Sequence, residues 1–369
     1  MHGRASELEH LKRAHRHRSL TLPHGKDFSS NDYLGFSRHP ALREAVIAAL
    51  DEDGIVGAGG SRLLRGHHPA HARLEEFAAR HFGSEKALFF GSGFIANFAL
   101  FTTLPDRHDA VIFDERIHAS VKEGLHASPA ERYKARHNDA DSFAAEVRRA
   151  REKGARRVFI AVESVYSMDG DLAPLAALNA IATELDAVLI VDEAHATGVF
   201  GPRGRGLGEG MGGAHWISLH TCGKALGVAG ALVCACGDTI DYLINRARPF
   251  IYSTAPPPML AAAVERALKL ADEEPWRRER VLELAPLLHR AVNPGKAFAG
   301  SQIVPVILGE DERALKAARA LQMGGFDVRA IRPPTVPEGT SRLRISLNAL
   351  HTREDVLALS AALDAVLQR

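Results

Sequence analysis

Six short segments between residues 87 and 236 are apolar almost from end to end: ALFFG, AVIFDE, RVFIAVES, AVLIVDEAH, WISLH and GALVCAC. A strand that buries one face alternates apolar with polar residues, so a run without alternation reads as a strand covered on both faces. Helical patterns separate these runs, at about Phe94 to Thr103 and Leu175 to Leu185. Strand alternating with helix predicts an α/β fold, a mostly parallel central sheet flanked by helices. An amphipathic helix from about Ala41 to Leu50 and the glycine-rich loop GIVGAGGSRLLRG precede the first run. At YSTAPPP three prolines interrupt the pattern, and a long helix is expected from about Met259 to Ala271. Beyond it, helices with the short runs IVPVIL and LRISL predict a smaller α+β C-terminal domain. The expected division is an N-terminal arm over 1–36, a large domain over 37–274 and a small domain over 275–369.

The formal net charge of +1 gives no electrostatic case for nucleic acid or membrane as a partner. No run approaches the ~20 apolar residues of a membrane span. The N-terminus MHGRASELEHLKRAHRHRSL lacks the apolar core of a secretory signal. Three cysteines, Cys222, Cys234 and Cys236, are too few for a disulfide framework and fit a reducing compartment, so a cytoplasmic protein is expected. Cys234 and Cys236 alternate along one apolar run, which predicts both on the same buried face of a strand. The histidines of the arm (His2, His10, His15, His17, His24) have no metal-site spacing and read as a solvated helix face, with no metal expected.

Open α/β sheets bind ligands outside the carboxyl ends of their strands. Four polar clusters fall at such ends. Gly91-Ser92-Gly93-Phe94 follows ALFF and opens a helix, where bare glycines and helix N–H groups suit a phosphate. Asp192-Glu193-Ala194-His195 follows AVLIV, Thr221-Cys222-Gly223-Lys224 follows WISLH, and Ser167 lies in ESVYSMDGD after RVFIAV. A desolvated lysine loses its proton more readily and becomes a nucleophile for an aldehyde. A carboxylate at a neighbouring strand end would keep a pyridine nitrogen protonated and make the ring an electron sink. Each piece alone has an ordinary reading: a solvated lysine, an aspartate capping the next segment, a plain strand-to-helix turn. Their joint placement in these chemical types argues for one site.

Two other patterns compete for the same letters. Asp-Glu-Ala-His also spells a helicase box, but a phosphate loop ending Gly-Lys-Ser/Thr is missing, since Gly223-Lys224 runs into Ala225. Gly91, Gly93 and Ala96 fit a dinucleotide fingerprint with Asp114 ending the next run, yet that reading leaves Lys224, Asp192 and His195 unexplained. A further G-x-G-x-x-G at Gly208, Gly210 and Gly213 follows no strand and reads as a loop.

The collinear motifs FSSNDYLG, GAGGSR, GSGFIAN, IHAS, VESVYSMDGDLAPL, VDEAHATGVFG, TCGKALGVAG and IYSTAPP resemble those of the α-oxoamine synthases, within the fold-type I pyridoxal-phosphate enzymes. The likeness runs from about Phe28 to His351. It implies pyridoxal 5'-phosphate as cofactor, carried by Lys224, which would also act as a base. His118 would stack on the ring, Asp192 would bind its nitrogen, and His195 and Ser167 would lie near its phenolic oxygen. Gly93, Phe94 and Thr221 would hold the phosphate, joined by Ser253 and Thr254 from a partner subunit in a homodimer with shared sites. Arg344 would pair with an amino-acid carboxylate, and Asn31 and Thr335 would line the substrate site. The family also uses an arginine near the N-terminus, here Arg16 or Arg18. The stretch IRPPTVPEGTSRLRISLNALH narrows the likeness to the branch that condenses alanine with a pimeloyl thioester to 8-amino-7-oxononanoate in biotin biosynthesis. The acyl carrier would be coenzyme A or an acyl carrier protein. The sister activity, transfer of acetyl or succinyl groups to glycine, is the alternative within the family.

Overall fold

A computed structural model describes residues 2–367 of the chain. By contacts it divides into two units, one of residues 34–166 and 172–278, the other of residues 2–33, 167–171 and 279–367.

The larger unit is built on a seven-stranded sheet. Its strands are β1 (Lys86–Phe90), β2 (Ala110–Asp114), β3 (Glu131–Ala135), β4 (Val158–Glu163), β5 (Ala187–Asp192), β6 (Trp216–Thr221) and β7 (Ala231–Ala235). Their spatial order is β1-β7-β6-β5-β4-β2-β3. β7 is antiparallel to both neighbours, and the other adjacent pairs are parallel, so β1 through β6 end on one edge. Alternate residues feed two separate cores. Val111, Phe159 and Ile190 enter one with Leu100 and Val121, while Ile112, Ile160, Leu189 and Val191 enter the other with Phe143 and Leu178. That two-sided cover is why six of the strands carry unbroken apolar runs.

β3 is not among the strands read from the sequence. It forms the sheet edge, and in ERYKA only Tyr133 and Ala135 are buried while Glu131, Arg132 and Lys134 face solvent. A second expectation fails at Cys236. The strand ends at Ala235, and Cys236 turns out of the ladder to precede the helix Gly237–Arg246, with its Sγ 3.1 Å from Thr239 Oγ1. Cys234 alone is the buried strand thiol of that pair. Among the described residues no cluster of His, Cys, Asp and Glu has the arrangement of a metal site.

The helices Gly93–Thr103 and Leu175–Glu184 fall where the periodicity puts them. The helix after the proline run spans Pro258–Glu273. It begins on the third proline, because a first-turn residue needs no N–H partner and φ near −65° is already helical. No helix among the described residues is long and apolar enough to cross a membrane.

The smaller unit holds an antiparallel sheet of β8 (Ile303–Gly309), β9 (Arg329–Ile331) and β10 (Ser341–Ser346), with β10 in the middle. Val304, Val306, Leu343 and Ile345 pack there against Leu288, Leu321, Val356 and Leu359 of its helices. The arm, whose helix spans His2–Arg13, belongs to this unit: Lys26–Asp27 pairs with Phe326–Asp327, and Ser346 N–H donates to the Phe28 carbonyl at 2.9 Å.

Three buried histidines give the fold a pH signature. Burial, the largest cause in each case, pushes His71 and His81 down to about 4 and His220 to about 3. The unfolded chain takes up protons at these positions as pH falls through 6.5, while the folded chain refuses them until about 4. Stability supplied by these groups is therefore lost across that interval. Buried Glu193, raised to about 7, acts in the opposite sense, as one group against three. The melting temperature is expected to fall steadily between about pH 7 and about pH 4; a flat or rising trend in calorimetry would contradict the assignment.

Candidate active site

The larger unit gathers its polar groups where β1, β2, β5 and β6 end. β5 ends in Asp192 and β6 in Thr221, with Lys224 three residues further on. The Lys224 amine, partly buried, lies 2.9 Å from Nε2 of His195, itself buried. Thr221 Oγ1 donates to the Ala194 carbonyl at 3.4 Å, tying the two strand ends together.

Asp192 is 7 % exposed. Its Oδ2 accepts from Asn97 Nδ2 at 2.7 Å and its Oδ1 from the Ala194 N–H at 2.9 Å. Both are neutral donors. A carboxylate so held keeps lone pairs to accept a further N–H.

His118 caps the helix Ala119–Ala127, its Nδ1 accepting from Ser120 N–H at 3.2 Å and lying 2.8 Å from Ser120 Oγ. Burial holds its pKa below the ordinary histidine value; Asp192 opposes this and the Lys224 charge adds to it.

After β1 the chain enters a helix at Gly93. Ser92 caps it, Oγ accepting from Ile95 N–H at 3.2 Å, which leaves the first-turn N–H groups of Gly93 and Phe94 facing outward by position. A Cβ on Gly93 would stand 2.5 Å from Thr221 Cγ2. Glycine thus lets the helix start approach the end of β6 closely, which brings its first-turn amides beside Thr221. Gly93→Ala is expected to push Thr221 aside and lower phosphate-group affinity at least about tenfold, or ~1.4 kcal/mol; unchanged affinity by equilibrium dialysis would contradict the cradle.

Ser253 and Thr254 follow the short helix Arg248–Ile251; Thr254 is exposed, Ser253 partly buried. Among the described residues neither hydrogen-bonds to a member of this cluster.

In the smaller unit, Arg344 is 6 % exposed and its guanidinium is held on several sides. Nε donates to the Ser167 carbonyl at 2.6 Å, Nη1 to Ser346 Oγ at 2.8 Å and Nη2 to Tyr33 Oη at 3.4 Å. Tyr33 Oη in turn donates to Asn31 Oδ1 at 3.1 Å, so Arg344, Ser167 and Asn31 form one network. Arg16 is taken up by two carboxylates, Asp311 at 2.8 Å and Glu338. Arg18 instead donates to Thr335 Oγ1 at 3.2 Å. Arg18 also lines a cavity of about 640 Å³ with His15, His17, Arg319, Arg329 and Arg332, and no carboxylate is among its lining residues.

Sequence reasoning did not single out Asn97 or Ser120. Both sat inside quoted motifs, GSGFIAN and IHAS, but their partners come from other strands and helices.

Residues 24–363 match the aminotransferase class I and II family. The chain belongs to that family. As an aminotransferase-family member it has relatives in the α-oxoamine synthase branch. It is 43 % identical to an 8-amino-7-oxononanoate synthase of Chromobacterium violaceum, covering 98 % of this chain and 96 % of the relative. It is 42 % identical to that of Geobacter sulfurreducens, covering 97 % and 96 %. A serine palmitoyltransferase from S. paucimobilis with a bound PLP–myriocin aldimine superposes with a TM-score of 0.90 at 29 % identity, over 99 % of this chain and 97 % of that one. An 8-amino-7-oxononanoate synthase from Francisella tularensis superposes at 0.77 and 28 % identity, over 93 % and 98 %. The aminotransferase-family fold is that of the fold-type I pyridoxal-phosphate transferases, with the smaller antiparallel sheet after the main one.

Proposed function

We propose that the chain is a pyridoxal-phosphate-dependent acyltransferase that condenses L-alanine with a pimeloyl thioester to give 8-amino-7-oxononanoate, carbon dioxide and free thiol, a step of biotin biosynthesis. The observation that carries the reading is the Lys224 amine 2.9 Å from His195, at the sheet edge that also holds buried Asp192 and the helix start at Gly93. The names of relatives above 40 % identity over most of the chain support the same reaction.

The residues fit the cofactor. Asp192 is a buried carboxylate held by neutral donors, and Gly93 sits so close to Thr221 that one added methyl would clash with it, which brings the helix-start amides beside the Thr221 hydroxyl. When bound, pyridoxal phosphate supplies an aldehyde for a primary amine and a ring that takes up carbanion electrons. Lys224 would carry it and, once its amine is released, take the α-proton of alanine. His195 lies within hydrogen-bond distance and orients that amine. Asp192 would keep a proton on the ring nitrogen. His118 would lie against the ring, and His195 with Ser167 near its phenolic oxygen. Gly93, Phe94 and Thr221 would receive the phosphate, with Ser253 and Thr254 contributed by a partner subunit of a homodimer.

In the reaction the Cα–H bond of alanine breaks and Cα bonds to the acyl carbonyl carbon. The thiolate leaves with a proton, the resulting β-keto carboxylate loses carbon dioxide, and a proton takes its place. Arg344 would pair with the alanine carboxylate, since a planar guanidinium fork can donate two bonds to one carboxylate. Asn31 and Thr335 would line the substrate site. Between the two arginines of the arm, Arg18 fits the substrate role better, because Asp311 and Glu338 already neutralise Arg16. The carboxylate-free cationic cavity beside Arg18 suits an anionic acyl donor, a coenzyme A ester or an acidic acyl carrier protein. A cytoplasmic place for the enzyme is part of this reading.

Mass spectrometry of the product decides it. Purified protein loaded with cofactor, given alanine and pimeloyl-coenzyme A, is expected to form 8-amino-7-oxononanoate. Product only from glycine with acetyl or succinyl thioester would overturn the alanine assignment.

A further inference from the structure

We propose that Asn97 and Ser120 are positioning residues of this site: they join the Asp192 carboxylate to Nδ1 of His118 and hold the imidazole with its proton on Nε2. Asn97 sits one turn into the helix Gly93–Thr103 and is 2 % exposed; Ser120, at 1 %, is in the first turn of the helix Ala119–Ala127. The amide of Asn97 spends both hydrogens, one on Asp192 Oδ2 at 2.7 Å and one on Ser120 Oγ at 3.0 Å. The reversed amide would set its oxygen against a carboxylate oxygen, so the donor assignment is fixed by its neighbours.

The direction of the remaining bonds follows. Ser120 Oγ accepts from Asn97, and its own hydrogen is left to point at His118 Nδ1, 2.8 Å away. The Ser120 backbone N–H reaches the same nitrogen at 3.2 Å. A ring nitrogen that receives two donors carries no proton of its own, so the single proton of the imidazole is on Nε2. Burial and the charges of Lys224 and Lys122 act in the same direction, against the pull of Asp192.

Close helix packing makes the network possible. A Cβ on Gly124, one turn after Ser120, would stand 3.0 Å from Phe101 Cβ and 3.4 Å from the Asn97 carbonyl oxygen. With glycine there the two helices approach until Ser120 and Asn97 bond. One amide thereby aims the carboxylate and, through a hydroxyl, sets the histidine. Its use in catalysis rests on the cofactor reading above: an uncharged imidazole can lie against a protonated ring without like-charge repulsion, whereas an imidazolium could not. The hydrogen-bond network itself does not depend on that reading.

The test uses long-range 15N NMR of histidine-labelled, cofactor-free protein, with the His118 signals identified by their loss in His118→Gln. Wild type and Ser120→Thr, which keeps the hydroxyl, are expected to show one tautomer, unprotonated at Nδ1, with His118 titrating below the ordinary histidine value. Ser120→Ala removes one oxygen and leaves the backbone cap; it is expected to populate a second tautomer and move the His118 titration upward. Asn97→Ala is expected to do the same. In the loaded enzyme Ser120→Ala is expected to lower kcat about tenfold, with Ser120→Thr restoring it. A wild-type His118 spectrum in Ser120→Ala, or a wild-type kcat there, overturns the proposal. Loss of the cofactor reading would instead appear as failure of Lys224 to take a pyridoxyl label, with the NMR result intact.

Discussion

Lys224→Ala is expected to fold normally and to lower turnover by about 10⁴-fold, the upper range for a lost proton-transfer group. The side chain projects from the irregular turn after β6, so its truncation removes no core packing and frees His195 Nε2 from one contact. Melting temperature should stay within a few degrees of wild type while product formation almost disappears. A small primary amine added to the buffer should restore a fraction of the activity, because what is missing is an amine of the right basicity. Retention of more than about a tenth of wild-type kcat/KM, a loss of only ~1.4 kcal/mol, would remove Lys224 from the chemistry.

Asp192→Asn is the second large effect, and it has two separable parts. The new amide can turn its oxygen to Asn97, but its NH2 then meets the Ala194 N–H, donor against donor. At a position 7 % exposed, that unmatched pair should destabilise the fold by about 1–3 kcal/mol. The catalytic part is larger. Loss of the negative charge that we propose to face the ring nitrogen should reduce kcat about 10²–10³-fold at saturating cofactor, the scale of one preorganised electrostatic partner. Calorimetry reads the first part and steady-state kinetics the second. A variant destabilised as expected but within tenfold of wild-type kcat would make Asp192 structural only.

The sheet was legible because its strands are buried on both faces, which writes itself into the chain as unbroken apolar runs. β3 was not, because an edge strand such as ERYKA keeps three charged side chains in water and carries too little apolar signal. Cys236 failed for a related reason: residue alternation cannot tell where a ladder stops, and here the next helix begins one residue after it. Within the candidate site, Lys224, Asp192 and Gly93 stood out because each sits just past an apolar run in a residue type with a specific chemical use. Asn97 and Ser120 did not, since an amide inside a helix and a serine after a histidine are ordinary; only the approach of two helices at Gly124 gives them partners. Arg16 and Arg18 could not be separated by position along the arm. The carboxylates that distinguish them, Asp311 and Glu338, lie some three hundred residues away in sequence.

The most direct test of the account is chemical labelling. The protein loaded with pyridoxal phosphate is treated with borohydride, digested and mapped by mass spectrometry. The account predicts a stable pyridoxyl group on the peptide TCGKALGVAG, at Lys224. A label on another lysine, or none, would contradict it.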